Sequence, residues 1–139
     1  MSASEPKPSA CRILYVEDND IVREITTELL MQNHPHVVAS RTAEEGLREF
    51  TEGTFDVVVT DISLPAMSGL DLARNILLLK PKMPIIVASG YFLDSSVQSL
   101  GPNVRAIIKP FEVEAIDALI AELCAAVEPE TTSGPPPPF

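Results

Sequence analysis

At 139 residues and 45% apolar content, the chain is sized for one domain with a real core and little room for a second. No run approaches the roughly 18 apolar residues of a membrane helix, and the opening MSASEPKPSA lacks the apolar segment of a secretory signal. A formal net charge of -10 has the wrong sign for nonspecific attraction to nucleic acid or to anionic lipid. A cytoplasmic protein is therefore expected. Cys11 and Cys124 fit no metal-ligand spacing and are expected as small core residues in a reducing compartment.

Both ends differ from the middle. Residues 1–10 are rich in Pro and Ser, and residues 128–139 (EPETTSGPPPPF) are rich in Pro, so both are expected as disordered arms around a folded unit over 11–127. Cys11–Glu17 (CRILYVE) is a short apolar run and the first expected strand. Asn19 or Asp20 then caps a helix with Val22, Ile25, Leu29 and Leu30 at helical spacing. His34-Pro35 stops it; His34 and His36 flank the proline and are expected at the solvated surface. HVVAS (His36–Ser40) is the second strand. Thr42 with Glu45 forms a capping box that opens a helix through Phe50, ended by Gly53.

FDVVVTD (Phe55–Asp61) is the third strand, followed by a helix over Ser68–Leu79 with Leu70, Ala73, Ile76 and Leu77 inward. Pro81 and Pro84 bracket the turn into the fourth strand, Ile85–Ser89. Residues 92–100 are expected as a short, weakly patterned helix closed by Gly101-Pro102, with Val104–Lys109 as the fifth strand. The last helix, Glu112–Val127, buries Val113, Ile116, Leu119, Ile120, Leu123 and Val127. Strict strand–helix alternation implies a parallel sheet with right-handed crossovers and helices on both faces. In such sheets the site lies beyond the carboxyl ends of the strands.

Those ends carry Glu17-Asp18, Asp61, Ser89 and Lys109-Pro110. Any one of them is an ordinary polar residue at a strand exit, but the set gathers like charges. Two carboxylates about 4 Å apart repel by about 4 kcal/mol at an effective dielectric of about 20. They persist ionised with a cation nearby, or one takes a proton. A hard divalent ion removes the conflict, and Mg2+ is the usual choice where phosphate is handled. The turn after the first strand, YVEDNDIV, has no glycine fingerprint and puts acids where a pyrophosphate would sit. The pattern suits a metal and a phosphoryl group brought from elsewhere, with Asp61 as nucleophile.

The acid pair Glu17-Asp18, DISLPAMSG around Asp61, Ser89 after IIVA, and Lys109-Pro110 together resemble the receiver domain of two-component response regulators. The resemblance covers about Cys11 to Val127. It implies a flavodoxin-like (βα)5 fold with strand order 2-1-3-4-5. It also implies that Asp61 accepts phosphate from the phosphohistidine of a sensor histidine kinase or a histidine phosphotransfer protein. Mg2+ (or Mn2+) would be held by Asp18, Asp61 and the backbone carbonyl of Ser63, with Glu17 acting mostly through water. Lys109 would pair with Asp61 and then with the phosphoryl oxygens. Ser89 would bond the phosphoryl group and draw in the following loop, and the Lys109–Pro110 peptide would be cis. Pro65 fixes the loop past the acceptor and Gly69 permits the tight return into the helix.

The family often has an aromatic switch residue three positions before the lysine; here that position is Ala106. The relay to an output face is then expected through Tyr91 or Phe92, or in weaker form. Gly90 leaves the phosphoryl site open to a donor, and by family analogy Tyr91 shields the phosphate from water. The chain is expected to act as a stand-alone switch that catalyses only its own aspartyl phosphorylation and dephosphorylation. No DNA-binding domain is expected after Val127, so output runs by protein contact or phosphorelay; a receiver excised from a hybrid kinase fits the same residues.

Homodimers of such domains pair through the face of the 92–100 helix, fifth strand and last helix, or through the first and last helices. Arg105, Glu112 and Asp117 are the charges expected on the former. The competing reading is a Mg2+-dependent phosphohydrolase similar to the haloacid dehalogenase group, because Asp18-Asn19-Asp20-Ile21-Val22 spells D-x-D-x-[TV]. There Asp18 would be the nucleophile and Asp20 the acid/base, leaving Asp61 without a purpose. A receiver-like binding module that is never phosphorylated is a third reading.

Overall fold

Apolar, β-branched runs pair into one parallel sheet in the computed structural model, which describes residues 11–90 and 97–133. The strands are β1 (Arg12–Val16), β2 (His36–Ser40), β3 (Val57–Asp61), β4 (Ile85–Ser89) and β5 (Val104–Ile108). Their order is β2-β1-β3-β4-β5, with all neighbours parallel. This is the expected doubly wound arrangement, and its switch in strand order falls between β1 and β3.

Side chains alternate across the sheet with a period of two. Leu14, Val16, Val58, Ile85 and Val87 face α2 (Ala43–Glu52) and α3 (Gly69–Leu79), packing on Phe50, Leu72 and Ile76. Ile13, Tyr15, Val57, Val59 and Ile86 face α1 (Asp20–Met31) and α4 (Val113–Ser133), packing on Leu30, Ile116, Ile120 and Leu123. Every residue of β3 and β4 is buried, as strands covered on both faces require. Three polar side chains start the helices by accepting orphan N–H groups: Asn19 from Val22, Thr42 from Glu45 and Ser68 from Asp71.

Several expected details differ. Leu30 is buried and Val22 half-buried, but Ile25 is 53% and Leu29 37% exposed, as is Ile21 at 68%. The inward stripe of α1 runs Val22, Thr26, Leu30, one residue on from Ile21, Ile25, Leu29. Both stripes have i, i+4, i+8 spacing. Polar contacts select between them, since Thr26 bonds the Tyr15 hydroxyl and Arg23 reaches the Glu17 carbonyl. Leu72 joins the inward face of α3, while Leu70 and Leu77 are half-buried at its edges.

Of the helix expected over 92–100, residues 91–96 lie outside the described residues, and the described part holds a 3₁₀ turn, Gln98–Leu100. The last helix runs to Ser133, beyond the expected Val127 and past Pro129, a residue that disfavours a helix interior. His34 is buried, not solvated: its Nε2 lies 2.9 Å from Asp117 Oδ1, and Asn33 Nδ2 donates to Asp117 Oδ2 at 2.7 Å. Asp117 therefore faces the end of α1 and does not stand among free charges beside β5. Cys11 and Cys124 sit in the core as expected, but they are joined as a disulfide. The fold brings the start of β1 onto α4, a meeting that a separation of 113 residues conceals in the sequence.

Candidate functional site

The register of the sheet builds the site. Val16 pairs with Thr60, so the next residues, Glu17 and Asp61, leave β1 and β3 side by side. Asp61 pairs with Ala88, and Ser89 with Ile108, so Ser89 and Lys109 follow on the same rim. Backbone bonds hold this rim past the strand ends: Glu17 N to Ser40 O at 3.0 Å, Ile62 N to Ala88 O at 2.8 Å and Lys109 N to Ser89 O at 2.6 Å.

One carboxylate oxygen from each of Glu17, Asp18 and Asp61 lies within 4.8 Å of the others. Glu17 is 3% and Asp61 7% exposed, whereas Asp18 is open to solvent. Lys109 Nζ spans the two buried acids, 3.2 Å from Glu17 Oε1 and 3.3 Å from Asp61 Oδ2. The other oxygens are used too: Asn19 N–H donates to Glu17 Oε2 at 3.2 Å and Ser63 N–H to Asp61 Oδ1 at 3.3 Å. Burial pushes the Glu17 carboxyl above its usual range, with the Asp61 charge adding to the rise against the Asn19 N–H and Lys109. Burial alone would lower Lys109, but Asp61 and Glu17 outweigh it and hold the ammonium charged. Tyr15, below the rim, is pushed up to about 12 by burial.

Three carboxylates, two of them buried, against one ammonium leave excess negative charge at the rim. The donors are hard oxygens at chelating separation, which fits Mg2+, and Mn2+ takes the same ligands. A bound divalent ion would offset the carboxylate charge and polarise phosphoryl oxygens. Glu17, Asp18 and Asp61 are the residues that would hold it.

The loop after Asp61 is shaped around the acceptor. A Cβ on Gly69 would overlap the Asp61 carbonyl oxygen and stand 2.9 Å from Ile62 Cα, while Gly69 N–H bonds Ile62 O at 3.0 Å. Close approach, and not a left-handed φ, is what requires glycine there. Among the described residues the left-handed one is Ala66, at φ 63°. Of the remaining expected positions, Ser89 is buried at the end of β4 and Ala106 is half-buried against the α2/α3 core. Lys109–Pro110 is cis. Gly90 faces open space, and Tyr91 and Phe92 lie outside the described residues. Asn19 and Arg23 are contacts that sequence reasoning missed; the sole sequence signal was the capping role of Asn19. Asp20 stays outside the acidic group and is 2.7 Å from Arg23 Nη2.

The sequence model of the response regulator receiver domain matches residues 13–121. The chain belongs to the response regulator receiver domain family. Among curated relatives, it is 29% identical over 114 residues to response regulator protein FleR of Pseudomonas aeruginosa, covering 81% of this chain and 24% of the relative. It is 30% identical over 118 residues to the cell cycle response regulator CtrA of Brucella ovis, covering 84% and 50%. The chain thus spans half or less of these relatives' lengths. A receiver domain protein (CheY-like) from Methanospirillum hungatei superposes with TM-score 0.77 at 32% identity, over 86% of this chain and 98% of the other. One from Clostridium thermocellum gives TM-score 0.77 at 27% identity, over 85% and 97%.

Family and acidic pocket together make this a domain of phosphorylation-dependent signalling. They set aside the hydrolase reading, in which Asp18 and Asp20 would have been the working pair. Among the described residues no helix is long and apolar enough to cross a membrane.

Proposed function

We propose that this receiver takes a phosphoryl group from a phosphohistidine, on a sensor histidine kinase or a histidine phosphotransfer protein, onto Asp61. The observation that carries the reading is Lys109 Nζ at 3.3 Å from Asp61 Oδ2, beside two further carboxylates that a single ammonium does not neutralise. In the transfer, an Asp61 carboxylate oxygen forms the new P–O bond as the P–N bond to histidine breaks. The imidazole leaves with the bonding pair. Lys109 then turns its charge to the phosphoryl oxygens, and Ser89 donates its hydroxyl to them. Asp18, Asp61 and the Ser63 carbonyl would hold Mg2+ or Mn2+, with Glu17 acting mostly through water, and the ion would offset the carboxylate charge. Gly90, having no side chain, leaves the donor's approach open.

The chain catalyses only its own phosphorylation and dephosphorylation, in the cytoplasm, and acts on other proteins by contact or by phosphorelay. Ile21, Ile25 and Leu29, exposed along α1 beside the site, support docking of a donor helix there. A second copy of the chain would pair through the β5/α4 side, where Arg105 Nη2 lies 3.5 Å from Glu122, or through α1 and α4.

The test treats the chain with a small phosphoryl donor and Mg2+ and locates the acyl phosphate by mass spectrometry. Label on Asp61, lost in Asp61→Asn and in the presence of chelator, is the expected result. Label on Asp18 with multiple turnover would overturn it, as would no response to either the donor or beryllofluoride.

A further inference from the structure

The loop that delivers Asp18 is short. β1 ends at Val16 and α1 begins at Asp20, so Asp18 hangs on a few residues between a rigid strand and a rigid helix. One side chain of α1 reaches back across that gap. Arg23 Nη1 donates to the backbone carbonyl of Glu17 at 3.0 Å, and Nη2 donates to Asp20 Oδ1 at 2.7 Å. The same guanidinium therefore grips the residue before Asp18 and the second residue after it. Its side chain is 17% exposed and its bond to the Glu17 carbonyl is partly buried, whereas the Asp20 carboxylate at the other end is 80% exposed, so the grip on Glu17 is the better shielded of the two. Asn19 adds a second tie, its N–H donating to Glu17 Oε2 and its Oδ1 capping the helix.

Resting on the receiver reading above, we propose that Arg23 is a positioning residue for the divalent cation: it fixes the backbone from which Asp18 presents its carboxylate. A planar fork with several donors can hold two acceptors on opposite sides of a residue at once; a lysine ammonium carries the charge without that fork. Partners behind metal ligands of this kind change metal affinity by about 10–100-fold when removed. Charge and position predict opposite outcomes here. As a bare cation Arg23 repels Mg2+, so deleting it would tighten binding. As a clamp it orders Asp18, so deleting it weakens binding.

The test is a calorimetric Mg2+ titration of the full chain, unmodified and as Arg23→Ala and Arg23→Lys. Hydrogen exchange of the residue 17–20 amides in chelator is measured alongside. Arg23→Ala is expected to weaken Mg2+ by about 10-fold, with Arg23→Lys between it and the unmodified chain. The 17–20 amides exchange faster while those of β3 and β4 are unchanged. Where Arg23→Ala does not fold, Arg23→Lys carries the same comparison. Mg2+ affinity that is unchanged or tighter in the variants overturns the clamp alone. An unmodified chain that binds no Mg2+, or whose binding ignores Asp18→Asn and Asp61→Asn, overturns the site reading and the clamp with it.

Discussion

The two ends of the sheet solve the same problem in opposite ways. At the amino edge the polar groups of Arg12, Asp56 and Asn103 meet complements. Asp56 Oδ2 accepts from Arg12 N at 2.9 Å, Asp56 N donates to Arg12 O at 2.8 Å, and Arg12 Nε donates to Thr54 O at 2.8 Å. Asn103 Nδ2 closes the β4–β5 side on Lys82 O at 2.8 Å. At the carboxyl rim three acids gather while one lysine pairs with two of them, and the loop beyond carries a non-glycine residue at φ 63°. One end is built to be satisfied as folded. The other is left short of positive charge, which a cation and a phosphoryl group can then use. Stability and function thus separate along the strand direction.

The largest test of that contrast is Gly69→Ala. The added methyl meets backbone of Asp61 and Ile62, which cannot swing aside as a side chain would. A loss of about 3 kcal/mol is expected, read by urea denaturation, together with weaker Mg2+ binding because Asp61 itself is displaced. Ala66→Gly should act in the other direction, stabilising by about 1 kcal/mol as the left-handed strain at the rim is relieved. An unchanged midpoint would show the loop to be unstrained. At the amino edge Asp56→Ala removes a partner from exposed groups that water can satisfy. A loss of about 0.5 kcal/mol is expected, with no change in Mg2+ affinity. A measurable Mg2+ effect there would break the separation of the two ends.

The finest effect is a pH slope. Because the folded chain holds the Glu17 proton more tightly than the ordinary value of 4.5, metal-free stability falls as pH rises from there through the raised folded value. Glu17→Gln should flatten that slope and raise the melting temperature in chelator, and saturating Mg2+ should cancel its advantage. A slope of the same size in the variant would assign it to another group. At the alkaline end Lys109 and Tyr15 act in the same direction. Both hold their protons longer when folded, Lys109 above 10.5 and Tyr15 to about 12, so stability falls again as pH climbs past 10.

Much of this was legible in the residues because it is local. Val57, Val58 and Val59 leading into Asp61 announce a strand covered on both faces with a carboxylate at its tip. Thr42 with Glu45, and Ser68 before its helix, mark helix starts through short-range bonds that the structure contains. The acids of β1 and β3 and the lysine of β5 could be assembled because parallel topology sends all strand ends to one rim. The rotation of α1 was not legible. Ile21, Ile25, Leu29 and Val22, Thr26, Leu30 have the same spacing, and the choice rests on contacts with Tyr15 and Glu17 across the packed face. His34 looked like a turn residue because nothing near it in sequence is acidic; its partner Asp117 is 83 positions away.

By itself, then, the sequence determined the alternation of strands and helices, the strand ends that carry chemistry, and the family to which they conform. These rest on periodicity and on turn and cap residues, which act over a few positions. Tertiary structure alone decided which face of α1 is buried, that Cys11 meets Cys124, and that Lys109 serves Glu17 as well as Asp61. It also decided that Gly69 is needed for the closeness of Asp61 and that Arg23 closes over the Asp18 loop. Each of these depends on the distance between segments that only packing brings together, and no local pattern in the chain encodes that distance.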